Sequence, residues 1–266
     1  MSDVPAPDAL FAGTAEEYVR HRPPYPAELL AALVDRFALG PGVAVLDLGC
    51  GPGVLSLPLA DSGAEITGVD PAADMLAAAR RRAGERANLR WVHGTAEDAP
   101  LPGPYRLAVC GRSFHWLDRA RVLARLDRLI EPAGAVVVFR EHREPGREAA
   151  WRPLLAQLER RWLPDGPRAL RRHAEHRGGP DHETVLRASA FARLERIEVE
   201  VRRAWTHHGV VGYVRSTSRG KEALAGPQGP PREAELRAAL ADLGDLDETV
   251  TVAAVVARRG AGSTPE

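Results

Sequence analysis

A chain of 266 residues can bury a substantial core, and fits one large α/β domain or such a domain with an added lid. Its 36 Lys and Arg are balanced by 36 Asp and Glu, and 44% of its residues are hydrophobic, a globular composition with no net field to draw it onto nucleic acid or an anionic membrane. Two cysteines, Cys50 and Cys110, exclude a disulfide framework; with no apolar run near the roughly 18 residues of a membrane span and no basic-then-apolar leader in Met1 to Ala9, a cytoplasmic location is expected.

In chain order, Leu10 to Tyr25 carries Phe11, Tyr18, Arg20, Arg22 and Tyr25 and is closed by Pro23, Pro24 and Pro26. That proline density predicts a short helix and then an extended arm. Leu29, Leu30, Leu33, Val34 and Phe37 form one apolar stripe before Gly40-Pro41-Gly42, so a helix that packs on the sheet precedes the first strand. Val43 to Leu48 is the first strand. It runs into Gly49-Cys50-Gly51-Pro52-Gly53 and a helix whose Val54, Leu55 and Leu59 face the sheet. Ala64 to Val69 is the second strand, ended by Asp70. Pro71 to Ala83 is a helix with Arg80, Arg81 and Arg82 in its last turn and Gly84 behind them. Leu89 to His93 and Arg106 to Cys110 are the third and fourth strands. Asp118 caps a helix bearing Val122, Leu123, Leu126, Leu129 and Ile130, and Pro132-Ala133-Gly134 turns it into the strand Ala135 to Phe139.

Five such units predict an α/β fold with a Rossmann-like doubly wound sheet, mostly parallel with an antiparallel last strand, plus an N-terminal helical arm and inserted lid helices. The regularity then lapses: Trp151 to Leu163 is helical in pattern, Pro164 to Asp181 a loop, Glu183 to Ser189 helical, Leu194 to Val201 a strand, Gly209 to Ser216 and Glu233 to Leu243 helices, and Thr249 to Ala257 a final strand. The expected division is 1–42 as arm and helix over the cofactor site, 43–140 as cofactor-binding core, 141–220 as lid and substrate insertion, and 221–266 as a helix and strand completing the sheet, with a loose tail.

Three acidic positions turn the glycine-rich corner into a site. Asp47 lies just before the glycines. Asp70 ends the second strand roughly 20 residues further on, where a carboxylate accepts both hydroxyls of a ribose. Glu97 and Asp98 follow the third strand in Gly94-Thr95-Ala96-Glu97-Asp98, near the place of an adenine edge. A nicotinamide-dependent dehydrogenase is the rival, since Asp70 suits NAD equally well. Against it, Val54 stands where the third glycine of GxGxxG permits close helix packing, and Asp47 would repel a pyrophosphate.

Val45-Leu46-Asp47-Leu48-Gly49-Cys50-Gly51-Pro52-Gly53, Val69-Asp70, Gly94-Thr95-Ala96-Glu97-Asp98 and Glu131-Pro132-Ala133-Gly134 resemble, in order and spacing, the motifs of class I S-adenosylmethionine-dependent methyltransferases. Tyr18 through Arg22-Pro23-Pro24-Tyr25-Pro26, Ser113-Phe114-His115-Trp116-Leu117-Asp118 and Gly212-Tyr213-Val214-Arg215-Ser216-Thr217-Ser218 resemble its small-molecule branch, which includes trans-aconitate methyltransferase-like proteins of methyltransferase type 11. The resemblance implies S-adenosyl-L-methionine as cofactor and S-adenosyl-L-homocysteine as product. It implies that Gly49, Gly51 and Gly53 face the methionine part, Asp47 its ammonium end, Asp70 the ribose, and Ala96 with Glu97 or Asp98 the adenine. Tyr18, Arg22, Cys50, Pro71, Met75, Thr95, Cys110 and His115 complete the implied cofactor set. Tyr25, Trp116, Tyr213, Ser216 and Ser218 form the implied acceptor set.

A sulfonium methyl is already an activated electrophile, so catalysis consists mostly of holding a nucleophile in line with water excluded. Tyr18, Tyr25, Phe114 and Trp116 are candidate aromatic faces for the cation, or core residues. His115 is a candidate base or substrate orienter, and orders its own loop in the bland alternative. Arg20 and Arg22 reach a substrate carboxylate, tie down the arm, or cap the cofactor carboxylate; Ser216, Thr217 and Ser218 contact substrate or cap a helix. His173, His176 and His182 lack metal-site spacing, so no metal is expected, and Arg168, Arg171, Arg172 and Arg177 fit a solvated lid face.

The sequence therefore points to a methyltransferase acting on oxygen, carboxylate included, or nitrogen of a small molecule, as a monomer or homodimer without membrane partners. The alternative is a non-methylating use of the same cofactor, by aminocarboxypropyl transfer or cyclisation. A nucleic-acid methyltransferase or a dehydrogenase ranks behind both.

Overall fold

The computed structural model describes residues 7–144, 146–167 and 180–260. One sheet carries β1 (Ala44–Leu48), β2 (Glu65–Asp70), β3 (Leu89–His93), β4 (Tyr105–Cys110), β5 (Ile130–His142), β6 (Arg193–Arg203) and β7 (Glu248–Arg258), in the order β3-β2-β1-β4-β5-β7-β6. β1 to β5 run parallel, and β7 is antiparallel to both of its neighbours. The chain winds outward from β1 through β2 to β3, then jumps back to place β4 against the other edge of β1. Such a reversal opens a crevice at the carboxyl ends of β1 and β4.

Alternation along the central strands sorts side chains into two layers. On one face Val45, Leu107, Val109 and Val137 pack under Leu29, Leu33 and Phe37 of α2 (Ala27–Phe37) and under Leu55 and Leu59, which flank and belong to α3 (Ser56–Ala60). On the other, Leu46, Leu48, Ala108 and Val136 meet Val122, Leu123 and Leu126 of α5 (Arg119–Leu129). Leu33, Leu46 and Leu107 have no exposed surface, and each such leucine contributes about 1.5–3 kcal/mol by leaving water. α2 ends on Ala38, left-handed at φ 47°, and α5 begins at Asp118, whose carboxylate accepts from the Arg121 N–H.

Three local expectations are corrected. The helix after the glycine turn is a single five-residue turn, and Val54, ahead of it, is only half-buried. The helix after β2, α4, runs Ala73–Ala83 rather than from Pro71, because Asp70 holds the Ala72 N–H and delays the first turn. β5 starts at Ile130, and Pro132-Ala133-Gly134 is an irregularity inside it: Tyr105 pairs with Ile130 but Leu107 with Ala135.

Over the carboxyl ends sit α1 (Ala15–His21), α6 (Trp151–Trp162), α8 (His207–Arg215), α9 (Ser218–Ala223) and α10 (Gly229–Ala241), whereas α7 (His182–Arg187) packs beside α5 and β6 with Leu186 in the α5 layer of the core. α6, α8 and α10 have a core of their own, with Trp151, Leu155, Val210, Val214, Leu236 and Leu240 buried together. α1 packs against α8, and the His21 ring lies where a Cβ on Gly212 would be. The Gly13 N–H donates to Asp74 at 2.6 Å and Lys221 Nζ to the Ala9 carbonyl at 2.7 Å, which fixes the arm between α4 and α9.

Candidate active site

β1 leaves the sheet through Gly49 and Gly51, both left-handed at φ 68° and 53°, a conformation that costs a side-chain-bearing residue about 1–2 kcal/mol. Their surroundings differ. A Cβ on Gly49 would stand 2.4 Å from Ser113 Cβ, whereas one on Gly51 would meet nothing within 4 Å. Gly49 is small because the segment after β4 lies on it, with Ser113 Oγ donating to the Leu48 carbonyl. Gly51 is small and faces open space.

Asp70 Oδ2 accepts from the Gly51 N–H at 2.8 Å and Oδ1 from the Ala72 N–H at 2.9 Å. Burial pushes its carboxyl up to about 6 against the pull of those two N–H groups. After β3, the loop from Thr95 to Ala99 is held by α5: Arg125 donates to the carbonyls of Ala96, at 2.8 Å, and Ala99, while Glu97 accepts from the Asp118 N–H at 2.8 Å and Arg121 pairs with Asp98.

These elements enclose a cavity of about 400 Å³, lined by Gly49, Gly51, Asp70, Pro71 and Met75, by Thr95, Ala96, Glu97 and Asp98, and by Phe11, Tyr18, Arg112, Ser113, Trp116 and Leu117. A second cavity of about 420 Å³ lies between the arm, the ends of β4 and β5 and the helices above. Its lining includes Arg22, Tyr25, Arg112, His115, Glu141, His182, Tyr213, Thr217 and Ser218. Phe11, Tyr18, Arg112 and Trp116 line both cavities. Phe11 meets Trp116 and Tyr18 edge-on, at 5.5 and 6.4 Å between ring centroids.

Five expected site residues line neither cavity. Asp47 is 1% exposed, and its carboxylate accepts from Ser56 Oγ at 2.6 Å; burial pushes it up to about 7. Cys50 and Cys110 are free, buried thiols, with Cys50 wedged against Gly68. A Cβ on Gly53 would stand 2.9 Å from the Trp91 ring, so this glycine serves packing. Ser216 has no exposed surface; its hydroxyl donates to the Tyr213 carbonyl and its own carbonyl accepts from Arg22 Nη2 at 3.2 Å. Thr217 caps α9, and Ser218 next to it lines the second cavity. Phe114 is buried in the main core. Arg20 lies on the surface, paired with Glu16.

Arg112, Ser113 and Glu141 are the site residues that sequence patterning missed as a group. Arg112 donates to the Pro23 carbonyl at 2.8 Å and to Glu141 Oε1 at 3.0 Å, and lies 5.0 Å from the centre of the Tyr25 ring. Although burial opposes it, Arg203 and Arg112 hold the Glu141 carboxyl well below the usual range. An arginine at the carboxyl end of a central parallel strand was the available signal. His115 tilts on Trp116 and stacks on His182 at 6.4 Å; burial, then Arg119 and Arg140, push His182 down to about 4. His173 and His176 and the arginines from Arg168 to Arg177 lie outside the described residues. Among the described residues no cluster of His, Cys, Asp and Glu could hold a metal, and no helix is long and apolar enough to cross a membrane.

A sheet of this order with its seventh strand reversed defines the class I methyltransferase fold, and the acid at the end of β2 beside an open glycine turn makes the first cavity the candidate nucleoside site. Residues 45–134 match a methyltransferase domain family. An uncharacterized methyltransferase of Mycobacterium tuberculosis is 28% identical over 199 residues, covering 74% of this chain and 70% of that protein. The ubiquinone biosynthesis O-methyltransferase of Aeromonas salmonicida is 35% identical over 108 residues, 39% of this chain and 45% of the relative. Among solved structures, the YcgJ protein of Bacillus subtilis superposes with a TM-score of 0.54 at 17% identity, over 88% of this chain and all of that one (100%). Phosphoethanolamine N-methyltransferase 2 of Haemonchus contortus, solved with phosphomonomethylethanolamine and S-adenosylhomocysteine, gives 0.52 at 14% identity over 92% of this chain and 57% of that one. Residues 45–134 carry the methyltransferase domain, and together these findings support an S-adenosylmethionine-dependent methyltransferase with S-adenosylmethionine as its cofactor.

Proposed function

We propose that the enzyme methylates an oxygen or nitrogen of a small molecule held in the second cavity. The observation that carries this reading is the pair of similar cavities meeting at Phe11, Tyr18, Arg112 and Trp116, one beside the glycine turn and the other walled by the arm and α8. The first fits the cofactor: Gly51 presents bare backbone to open space, and both oxygens of Asp70 keep a lone pair beyond their N–H partners for ribose hydroxyls. Backbone at Gly49 and Gly51 serves the methionine end. Met75, Ala96 and Leu117 offer apolar surface to the adenine, with Thr95, Glu97 or Asp98 at its edge. Asp47 acts from behind the turn as a buried negative charge toward the ammonium group. Residues 43–140 then form the cofactor-binding core, 1–42 the arm and helix over the cofactor site, 141–220 the lid and substrate insertion, and 221–266 the helix and strand completing the sheet.

When bound, the sulfonium supplies an activated methyl group, so the protein's own work is placement and exclusion of water. Phe11, Tyr18 and Trp116 present ring surface suited to a cation. His115, in the acceptor cavity, orients the acceptor or takes its proton. The O-methyltransferase name of the ubiquinone relatives supports an oxygen acceptor. Calorimetry tests the cofactor half: S-adenosylhomocysteine should bind and NAD should not. Mass spectrometry tests the reaction: turnover should release S-adenosylhomocysteine, and methylthioadenosine in its place would mean transfer of the aminocarboxypropyl arm.

A further inference from the structure

The sheet has two outer strands, and they differ. β3 spans only Leu89–His93, whereas β6 pairs with β7 in an unbroken register from Arg193 to Arg203. Among the described residues no strand lies on the far side of β6, so the outward N–H and C=O groups of alternate residues are left for another chain. β6 carries no proline, lysine or bulge to blunt that edge. A groove of about 420 Å³ follows it, lined by Leu194, Glu195, Arg196 and Glu198 with Glu183 and Arg187 of α7. Glu195 points to one face of the sheet and its neighbours to the other, so the groove wraps the edge itself.

The charges on β6 then decide what can add there. Two copies related by a two-fold axis pair β6 with β6 antiparallel and keep like faces together, so the axis must pass where one residue meets itself. With the axis at Ile197, residues 193–201 pair: Arg196 of each copy stands opposite Glu198 of the other, Leu194 opposite Glu200, Glu195 opposite Val199 and Arg193 opposite Val201. No like charges are opposed. An axis at Glu195, Arg196, Glu198 or Glu200 sets that residue against itself, and one at Val199 sets Glu198 against Glu200 and Arg196 against Arg202. Axes at Leu194 or Val201 also avoid like charges, but pair only 193–195 or 199–203. The groups at the favoured axis are ready for new partners. Arg196 shares Glu183 with Arg140 and Arg187, and Glu198 makes no ion pair among the described residues. Ile197 is half-buried against the α2 layer, and meeting its own copy would take more of it out of water.

We propose that β6 is a dimer interface, at which a second copy of this chain adds its own β6 antiparallel about an axis at Ile197 and joins the two seven-stranded sheets edge to edge. None of Arg196, Ile197 and Glu198 lines either cavity, so the dimer stands or falls apart from the proposed function.

Sedimentation of the full chain from about 1 to 100 µM should show a monomer–dimer equilibrium. E198R sets arginine against Arg196 twice across the axis, and R196E sets glutamate against Glu198 twice. Each should raise the dimer Kd about 10- to 100-fold. The double variant R196E/E198R restores opposite charges in exchanged positions and should return the Kd to within about fivefold of wild type. Hydrogen exchange needs no substitution: alternate amides of β6 in the wild type should exchange more slowly in the dimer than in the monomer. The proposal is overturned if the wild type stays monomeric at about 100 µM, if its dimer leaves β6 exchange unchanged, or if folded E198R dimerises as well as wild type. It is overturned equally if the folded double variant is no better than the single ones.

Discussion

Gly49 and Gly51 stand two residues apart in one turn, and alanine at each should fail in a different way. Both substitutions impose a left-handed backbone on a side-chain-bearing residue, about 1–2 kcal/mol. In Gly49→Ala the new Cβ would be 2.4 Å from Ser113 Cβ and 3.1 Å from its Oγ, so the segment after β4 must move. Overpacking of this kind adds about 1–3 kcal/mol, for a total of about 2–5 kcal/mol. At about 2–4 °C per kcal/mol for a domain of this size, Tm should fall by about 4–20 °C. In Gly51→Ala nothing stands within 4 Å, so only the backbone cost applies and Tm should fall by about 2–8 °C. In the proposed cofactor site its methyl group would overlap the cofactor, and about 1–3 kcal/mol of overlap should weaken S-adenosylhomocysteine by about 5- to 150-fold. Thermal melts of the unliganded variants and calorimetry with S-adenosylhomocysteine measure both effects. The reasoning is refuted if Gly51→Ala binds S-adenosylhomocysteine like wild type while losing as much stability as Gly49→Ala.

Burial raises the Asp70 carboxyl to about 6, and in the proposed cofactor site its carboxylate is the form that would accept from the ribose. The Kd for S-adenosylhomocysteine should therefore rise by up to about tenfold for each pH unit below 6; a Kd that is flat from pH 7 to about pH 5 would mean that Asp70 makes no such contact. Asp47 moves from 3.8 to about 7 on folding. The folded state thus holds the proton more tightly, and this group's contribution to unliganded stability is greatest at low pH and is lost as pH rises through 7. Asp47→Asn keeps an acceptor for Ser56 and removes the charge, so near pH 8 it should gain up to about 4 kcal/mol over wild type in urea unfolding, and the gain should vanish near pH 4. A gain independent of pH would contradict this account. Glu248 has no exposed side-chain surface and accepts from Arg143, Arg152 and Trp205, and although burial opposes it, Arg152 and Arg143 hold its carboxyl down to about 2. Its stabilising share is present above about 4.5 and declines as pH falls toward 2. Glu248→Gln should cost about 3–5 kcal/mol at neutral pH by leaving buried guanidiniums uncompensated, and denaturant melts of this variant at the wild-type midpoint would disprove the network's importance.

The corner from β1 through Asp70 was legible because its signals are local: an apolar run, glycines at fixed spacing, and an acid one strand later. The acceptor side was not. Arg112 and Glu141 are 29 residues apart, and Glu141 and Arg203 are 62 apart; in sequence each is only a charge near the end of a strand. Tyr213 and His115 were identifiable as aromatic or titratable groups in a resembling motif, but nothing in their spacing revealed the guanidinium over one and the His182 ring beside the other. Asp47 and Asp70 both read as carboxylates of the site, one for the ammonium end and one for the ribose, and burial separates them: Asp70 lines the cavity and Asp47 lies behind it, on Ser56. Hydrophobic periodicity likewise gave the strand after α5, but not its start at Ile130, since Pro132 to Gly134 read as a turn when they are an irregularity within pairing strands.

β7 is last of the seven strands in chain order yet lies inside the sheet, between β5 and β6. Until it inserts, β5 has an open edge from Val136 to His142, and β6 has no neighbour at all. During synthesis the half of the molecule built on β1 to β5 can condense first. Glu141, Arg203 and Glu248 sit on β5, β6 and β7, so the charged frame beneath the acceptor cavity closes only when the final strand threads home. Until then the bare edge of β5 is the place where a strand from another molecule could pair in error.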